Sequence, residues 1–229
     1  QVNDGVLQLR PYQEPYVPVA VASVQSPAGV TLAGKHGAGV ISLSIPRDTI
    51  RSTSLKELWS IAEETAAEHG KTVHRQNWGL VVGCHLAESK KEALEDIRVG
   101  SARVVTEYFG RTLGNDVPDV PADQIVDHMV NNNQWIVGTP DDCIEGIKRL
   151  QEISGGFGSF MVRVEDWAPR EKILRSYELM ARYVMPQFQG SLAGIEMSNQ
   201  WASDRREALQ TNRVSGLQAA DTAFYGVKK

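Results

Sequence analysis

Cysteine is scarce in this chain. Cys84 and Cys143 stand far apart in sequence and belong to no CxxC pair, so neither a zinc site nor a disulfide framework is indicated. No apolar run approaches the roughly 20 residues that a membrane-spanning helix needs. Neither sign of charge dominates. The 24 Lys and Arg are scattered among 28 Asp and Glu, for a formal net charge of −4, which lacks the clustered basic footprint of a nucleic-acid binder. No signal peptide is visible, so a reducing cytoplasm is the expected location. With 41% hydrophobic and 23% charged residues, the composition is that of a globular chain with enough apolar surface for a real core.

The clearest organisation lies between Pro18 and Ser44. Pro18 to Ser23 is a β-rich run, Ser26-Pro27 supplies a helix start with Pro at the first helical position, and Gly37-Ala38-Gly39 stops that helix. A strand resumes over Val40 to Ser44. Strand, short helix and strand in succession is a parallel βαβ unit, the building block of α/β folds, whose ligand sites sit at the carboxyl ends of the strands. Ser23 to Gly29 lies at such an end. A helix start there exposes unpaired N–H groups and the positive end of the helix dipole, which suits an anion such as phosphate, although a plain helix cap reads the same way.

Further along, Ser54 and Glu57 form a capping box for an amphipathic helix to His69, and Ser89 with Glu92 opens a longer one reaching about Gly110. Trp78 to Leu86 and Ser159 to Val164 read as further strands, which makes four defensible barrel strands in all. Residues 113–134 form an insertion holding a loop and a helix from Ala122 to about Val130. Thr139-Pro140-Asp141-Asp142 starts a helix that Gly155-Gly156 ends, and Arg170 to Met185 makes a last helix stopped at Pro186. Beyond Gly190 the chain is polar, with a short helix expected over Ser203 to Leu209.

The segments PVAVASVQSPAG, LAGKHGAGVISLS, NWGLVVGCHLAESKKEALED and WIVGTPDDCIEGIKRLQEISGGFGSFMV, followed by SYELMARYVMPQF, resemble the bacterial-luciferase-like FMN-dependent monooxygenases. The tail after Pro186 is similar to the limonene monooxygenase branch. That resemblance implies an α/β fold of the TIM (β/α)8 barrel type, of which this chain carries about the last four β/α units and C-terminal helices. The chain opens at Gln1 without an initiator Met and is expected to be the C-terminal half of a larger protein. Residues 1–189 are then the barrel part and 190–229 a helical tail.

The implied activity is oxygenation of a small apolar organic substrate with reduced FMN and O2, the flavin coming from a separate reductase. By position, Ser23, Val24, Gln25, Ser26 and Gly29 would meet the flavin phosphate or ribityl chain. Gln25 stands where bacterial luciferase carries an acid. The family's catalytic histidine and phosphate-binding arginines belong to the half that is not here, so no complete catalytic set is assigned. His85, near a strand end, is the one histidine placed to line a pocket, against a reading as a packed core residue. Trp167 walls the flavin or caps the barrel. Two other readings stay open: a deazaflavin-dependent oxidoreductase of the same superfamily, and an inactive half-barrel that only associates with itself or with a complementary half. A homo-oligomer or such a pairing is expected, because an open parallel sheet needs cover.

Overall fold

The computed structural model describes residues 9, 11–14, 16–24, 26–44, 53–163 and 165–226. The chain divides into two compact units, 1–180 and 181–229. In the first unit, strand β1 (Ala20–Ser23), helix α1 (Pro27–His36) and strand β2 (Gly39–Leu43) form the βαβ unit read from the sequence. Gly37 takes φ +66° and ends α1 in the left-handed conformation that favours glycine. Helix α2 (Leu55–Glu68) follows, held at its start by the Ser54/Glu57 capping box. Then come strand β3 (Trp78–Leu86), helix α3 (Lys90–Arg103), helix α4 (Ile125–Asn131), strand β4 (Trp135–Gly138), helix α5 (Pro140–Ser154), strand β5 (Ser159–Arg163) and helix α6 (Arg170–Leu179).

All pairings are parallel, and β3 is the hub. Its first half pairs with β2, its middle with β5 and its last residues with β4, while β1 lies outside β2. Register fixes which residues share a face. Val21, Val40 and Trp78 lie in one row on the helix side, where Trp78 stacks on Trp59 of α2 with ring centres 4.9 Å apart. Gly34 of α1 lies so close to α2 that a Cβ there would meet the carbonyl of Ala62 at 2.5 Å, so these two helices pack backbone to backbone. On the same side, the Cys143 thiol of α5 meets Cys84 of β3.

The opposite face is different. Ala22, Ile41 and Gly79 form one row across it, and Leu43, Val81 and Met161 the next. Among these, Ala22 and Met161 are exposed, and Ile41, Leu43 and Val81 are half-buried. A fully folded sheet in an α/β protein buries both faces. Among the described residues, cover on this inner face exists only at its carboxyl end. There α3, α4 and Trp167 enclose Trp135 and Val137 in a second apolar cluster with Ala93, Ile97, Val105, Ile125 and Val126. Gly100 of α3 makes this fit, since a Cβ at that position would lie 2.2 Å from the carbonyl oxygen of Trp167.

The structure corrects several expectations. Trp135–Gly138 is a fifth strand, hidden from periodicity because all four residues are buried on both faces. The helix from Ser89 does not run uniformly to Gly110: α3 ends at Arg103 and a π-helical segment follows over Val104–Thr112, where the wider turn carries Tyr108 and Phe109. The first strand begins at Ala20, and the second ends at Leu43. Val164 lies outside the described residues.

In the second unit, Pro186 does not stop a helix but sits in the first turn of α7 (Met185–Phe188), the position where its missing N–H costs nothing. Two further helices, α8 (Ala193–Asp204) and α9 (Arg206–Gly226), replace the single short helix expected over Ser203 to Leu209, which would straddle the break at Arg205. That guanidinium lies over the Trp201 ring at 4.9 Å. Among the described residues no helix is long and apolar enough to cross a membrane.

Candidate functional site

At the carboxyl ends of the strands stand Ser23 with the start of α1, Ser44 after β2, His85 on β3 and Arg163 on β5. At β1, Ser23 is buried and its hydroxyl donates to the carbonyl of Ser26 at 3.5 Å, closing the strand-to-helix turn. Ser26 is the N-cap residue, extended at φ −94° and ψ 149°, yet its side chain accepts no helix amide. Pro27 follows, and the first turn of α1 holds no acidic side chain. This start therefore differs from those of α2, α3 and α5, where Ser54, Ser89 and Thr139 each accept the third amide. The first-turn N–H groups of α1 are left for an outside acceptor, the arrangement that suits an anion.

Val24 is exposed beside this turn. Gly29 lets α1 press against β1, for a Cβ there would lie 2.7 Å from the carbonyl oxygen of Ala22 and 2.8 Å from Cβ of Ser23. Its close approach is thus to the strand that bears the turn. Gln25 lies outside the described residues. The residues present fit a phosphate through backbone N–H groups and the Ser26 hydroxyl.

His85 is 1% exposed, paired through Nε2 with Asp96 of α3 at 3.3 Å. Asp96 also meets Lys172 of α6 at 3.3 Å, and Lys172 bonds Glu92 at 2.5 Å. Burial draws the imidazole below its ordinary pKa, and Asp96 pulls it partly back. This chain of charges ties α3 to α6 across the end of β3. Trp167 is 4% exposed and meets Trp135 edge to face at 5.0 Å, within the apolar cluster under α3.

Three features escaped the sequence. Cys84 and Cys143, 59 residues apart, lie with their sulfurs 4.0 Å from one another, both as buried free thiols, and the contact with the Cys143 thiol, together with burial, pushes the Cys84 thiol well up. Arg75 caps the amino end of the sheet, donating to the carbonyls of Ser154 and Gly156 at 2.8 Å while lying over the Trp59 and Trp78 rings. At the other end, Arg163 forms an ion pair with Glu165 and lies 5.2 Å from the Phe109 ring centre. An arginine inside the apolar run SFMVRV was the available signal. Among the described residues no cluster of three or more His, Cys, Asp or Glu is arranged for a metal ion.

The sequence profile of the luciferase-like monooxygenases matches residues 1–155. The chain belongs to that family. Among its relatives is the 4-hydroxyprotoasukamycin monooxygenase of Streptomyces nodosus subsp. asukaensis, 38% identical over 213 residues that cover 91% of this chain and 57% of the relative. The limonene 1,2-monooxygenase of Rhodococcus erythropolis is 36% identical over 95% of the chain and 55% of its own length. This luciferase-like chain therefore spans a little over half the length of the curated relatives it matches. In fold it is similar to the oxygenating constituent of 3,6-diketocamphane monooxygenase from Pseudomonas putida, solved in complex with FMN, with a TM-score of 0.58 over 75% of this chain and 49% of that one, at 24% identity. Its α/β fold with a parallel sheet is that of the luciferase-like TIM-barrel monooxygenases.

Proposed function

We propose that this chain is the carboxyl-terminal part of a flavin-dependent monooxygenase, in which reduced FMN from a separate reductase and O2 serve to oxygenate a small organic substrate. The observation that carries this reading is the uncapped helix start that follows β1, the strand whose inner-face residue Ala22 is exposed. Ser23 shapes the turn, Ser26 and the first amides of α1 hold the phosphate, Val24 borders it, and Gly29 fixes the distance between helix and strand. Gln25 is assigned to the same turn from the sequence. The flavin supplies the redox chemistry. The protein's residues bind, orient and exclude water.

The inner face formed by Ala22, Ile41, Leu43, Val81 and Met161 borders the space for that substrate, and further β/α units are assigned to complete its cover. Two thiols held free and buried suit a reducing cytoplasm. Titrating the protein with FMN while following flavin fluorescence and molecular mass in one sample tests the reading. Saturable binding at one site per chain is expected. Absence of binding, alone and in the presence of a complementary barrel half, refutes it.

A further inference from the structure

The inner face of the sheet is apolar along β1, β2 and the first half of β3, and then meets one charged side chain. Arg163 follows Met161 by two residues on β5 and pairs in register with Gly83, so both side chains stand on this face. Met161 covers Gly79, where a Cβ would lie 2.6 Å from its sulfur. Arg163 instead sits where the open face passes under the π-helical segment, its guanidinium over Phe109. Glu165, with a side chain 9% exposed, engages it through Nε. Nε is the inner nitrogen of the guanidinium, so this pairing leaves the two terminal nitrogens to other acceptors.

A charge this deep is costly unless it has work to do. Burial lowers the pKa of Arg163 and raises that of Glu165, each held back by the other, and Nε of Arg163 and Oε2 of Glu165 are buried with no hydrogen bond of good geometry. Two apolar residues would fill the same space at lower cost. Glu165 and the Phe109 ring are the neighbours of the guanidinium, and the ion pair together carries no net charge. A full anion would gain Arg163 but meet the Glu165 carboxylate, whereas a neutral carbonyl oxygen takes the arginine donors without that penalty.

We propose that Arg163 is a specificity-determining residue, whose terminal N–H groups bind a carbonyl oxygen of the small molecule lying over the inner sheet face, oriented by Glu165 and Phe109. The inference rests on the proposed oxygenation of a small organic substrate and sharpens its class to a carbonyl-bearing apolar molecule. Flavins carry ring carbonyls as well, so the oxygen comes from the substrate or from the cofactor.

The test compares the wild-type protein with the double variant R163M/E165L, which removes both charges together and leaves neither unpaired, and with R163K, which keeps the charge but loses the planar fork. Binding of a terpene ketone, its parent hydrocarbon and FMN is followed by tryptophan fluorescence, with a urea melt to show that each variant is folded. Wild type is expected to prefer the ketone about tenfold, as a charge-assisted hydrogen bond implies. Loss of that preference in the double variant, with hydrocarbon affinity unchanged, places the oxygen on the substrate. Loss of FMN affinity with the ketone preference intact places it on the flavin. R163K is expected to fall between wild type and the double variant. Equal binding of ketone and hydrocarbon by wild type, together with unchanged FMN affinity in the double variant, overturns the inference. Failure of wild type to bind FMN counts against the flavin reading alone, because the ketone comparison still reports on Arg163.

Discussion

The indole N–H of Trp78 donates to the hydroxyl of Ser42 across 3.0 Å, joining β3 to β2 inside the core. Ser42 is 0% exposed and Trp78 1%. The same indole stacks on Trp59 and lies under the Arg75 guanidinium, so one side chain links two strands, a helix and the turn after α5. Replacing Ser42 with Ala strands a buried donor and is expected to cost about 1–3 kcal/mol, read as a lower urea midpoint at unchanged slope. Stability equal to wild type would show that the indole finds another acceptor.

Gly100→Ala tests the close fit of α3 on the segment after β5. With a backbone carbonyl 2.2 Å from the new methyl, helix and segment must separate, at a cost of about 1–3 kcal/mol or more. The contrast is Gly216→Ala in α9, where nothing lies within 4 Å and the gain in helix propensity is about 0.5–1 kcal/mol. Circular dichroism melts of the two variants should move in opposite directions.

His85 makes stability depend on pH with a definite sign. Its pKa in the folded chain lies below the ordinary 6.5 because burial disfavours the charged ring, while Asp96 and Glu92 favour it and Lys172 opposes it. Below about pH 6.5 the unfolded chain takes up a proton that the folded chain refuses, so stability falls as the pH drops from there towards the lowered value. His85→Gln is expected to flatten this part of the urea-midpoint profile between pH 7.5 and 5.5. A profile with the same slope in both proteins would place the titration elsewhere.

Ser26→Glu puts a carboxylate where the phosphate is assigned. The new side chain can cap α1 itself and repels an anion, so FMN affinity is expected to fall by about five- to tenfold while the melt is unchanged or improved. Affinity unchanged by this substitution would remove the phosphate from the α1 start.

Much of the first unit was legible because its signals are local. Ser54 with Glu57, and Thr139 with Pro140 and Asp142, announce helix starts through side chains that reach only three residues along the chain. Trp78–Leu86 was found to the residue, since its nearly continuous burial shows as a run that is apolar but for His85, between Asn77 and the Glu88-Ser89 pair. The strand Trp135–Gly138 was missed for the complementary reason: four buried residues are too few to show a period of their own.

The candidate site divides along the same line. Sequence alone determined the βαβ unit, the Ser23 to Gly29 turn at a strand's carboxyl end and, through the luciferase-like segments, the family. It could not determine that Ser26 leaves the α1 amides uncapped, that His85 meets Asp96, or that Cys84 meets Cys143 across 59 residues. Nor could it show Arg163 standing between an open apolar face and Phe109. Helix caps and strand periods are set by neighbours along the chain, where spacing fixes geometry. Pairings between strand ends and distant helices are set by how β3 collects β2, β4 and β5 around it, and that arrangement exists only once the sheet has closed on its helices.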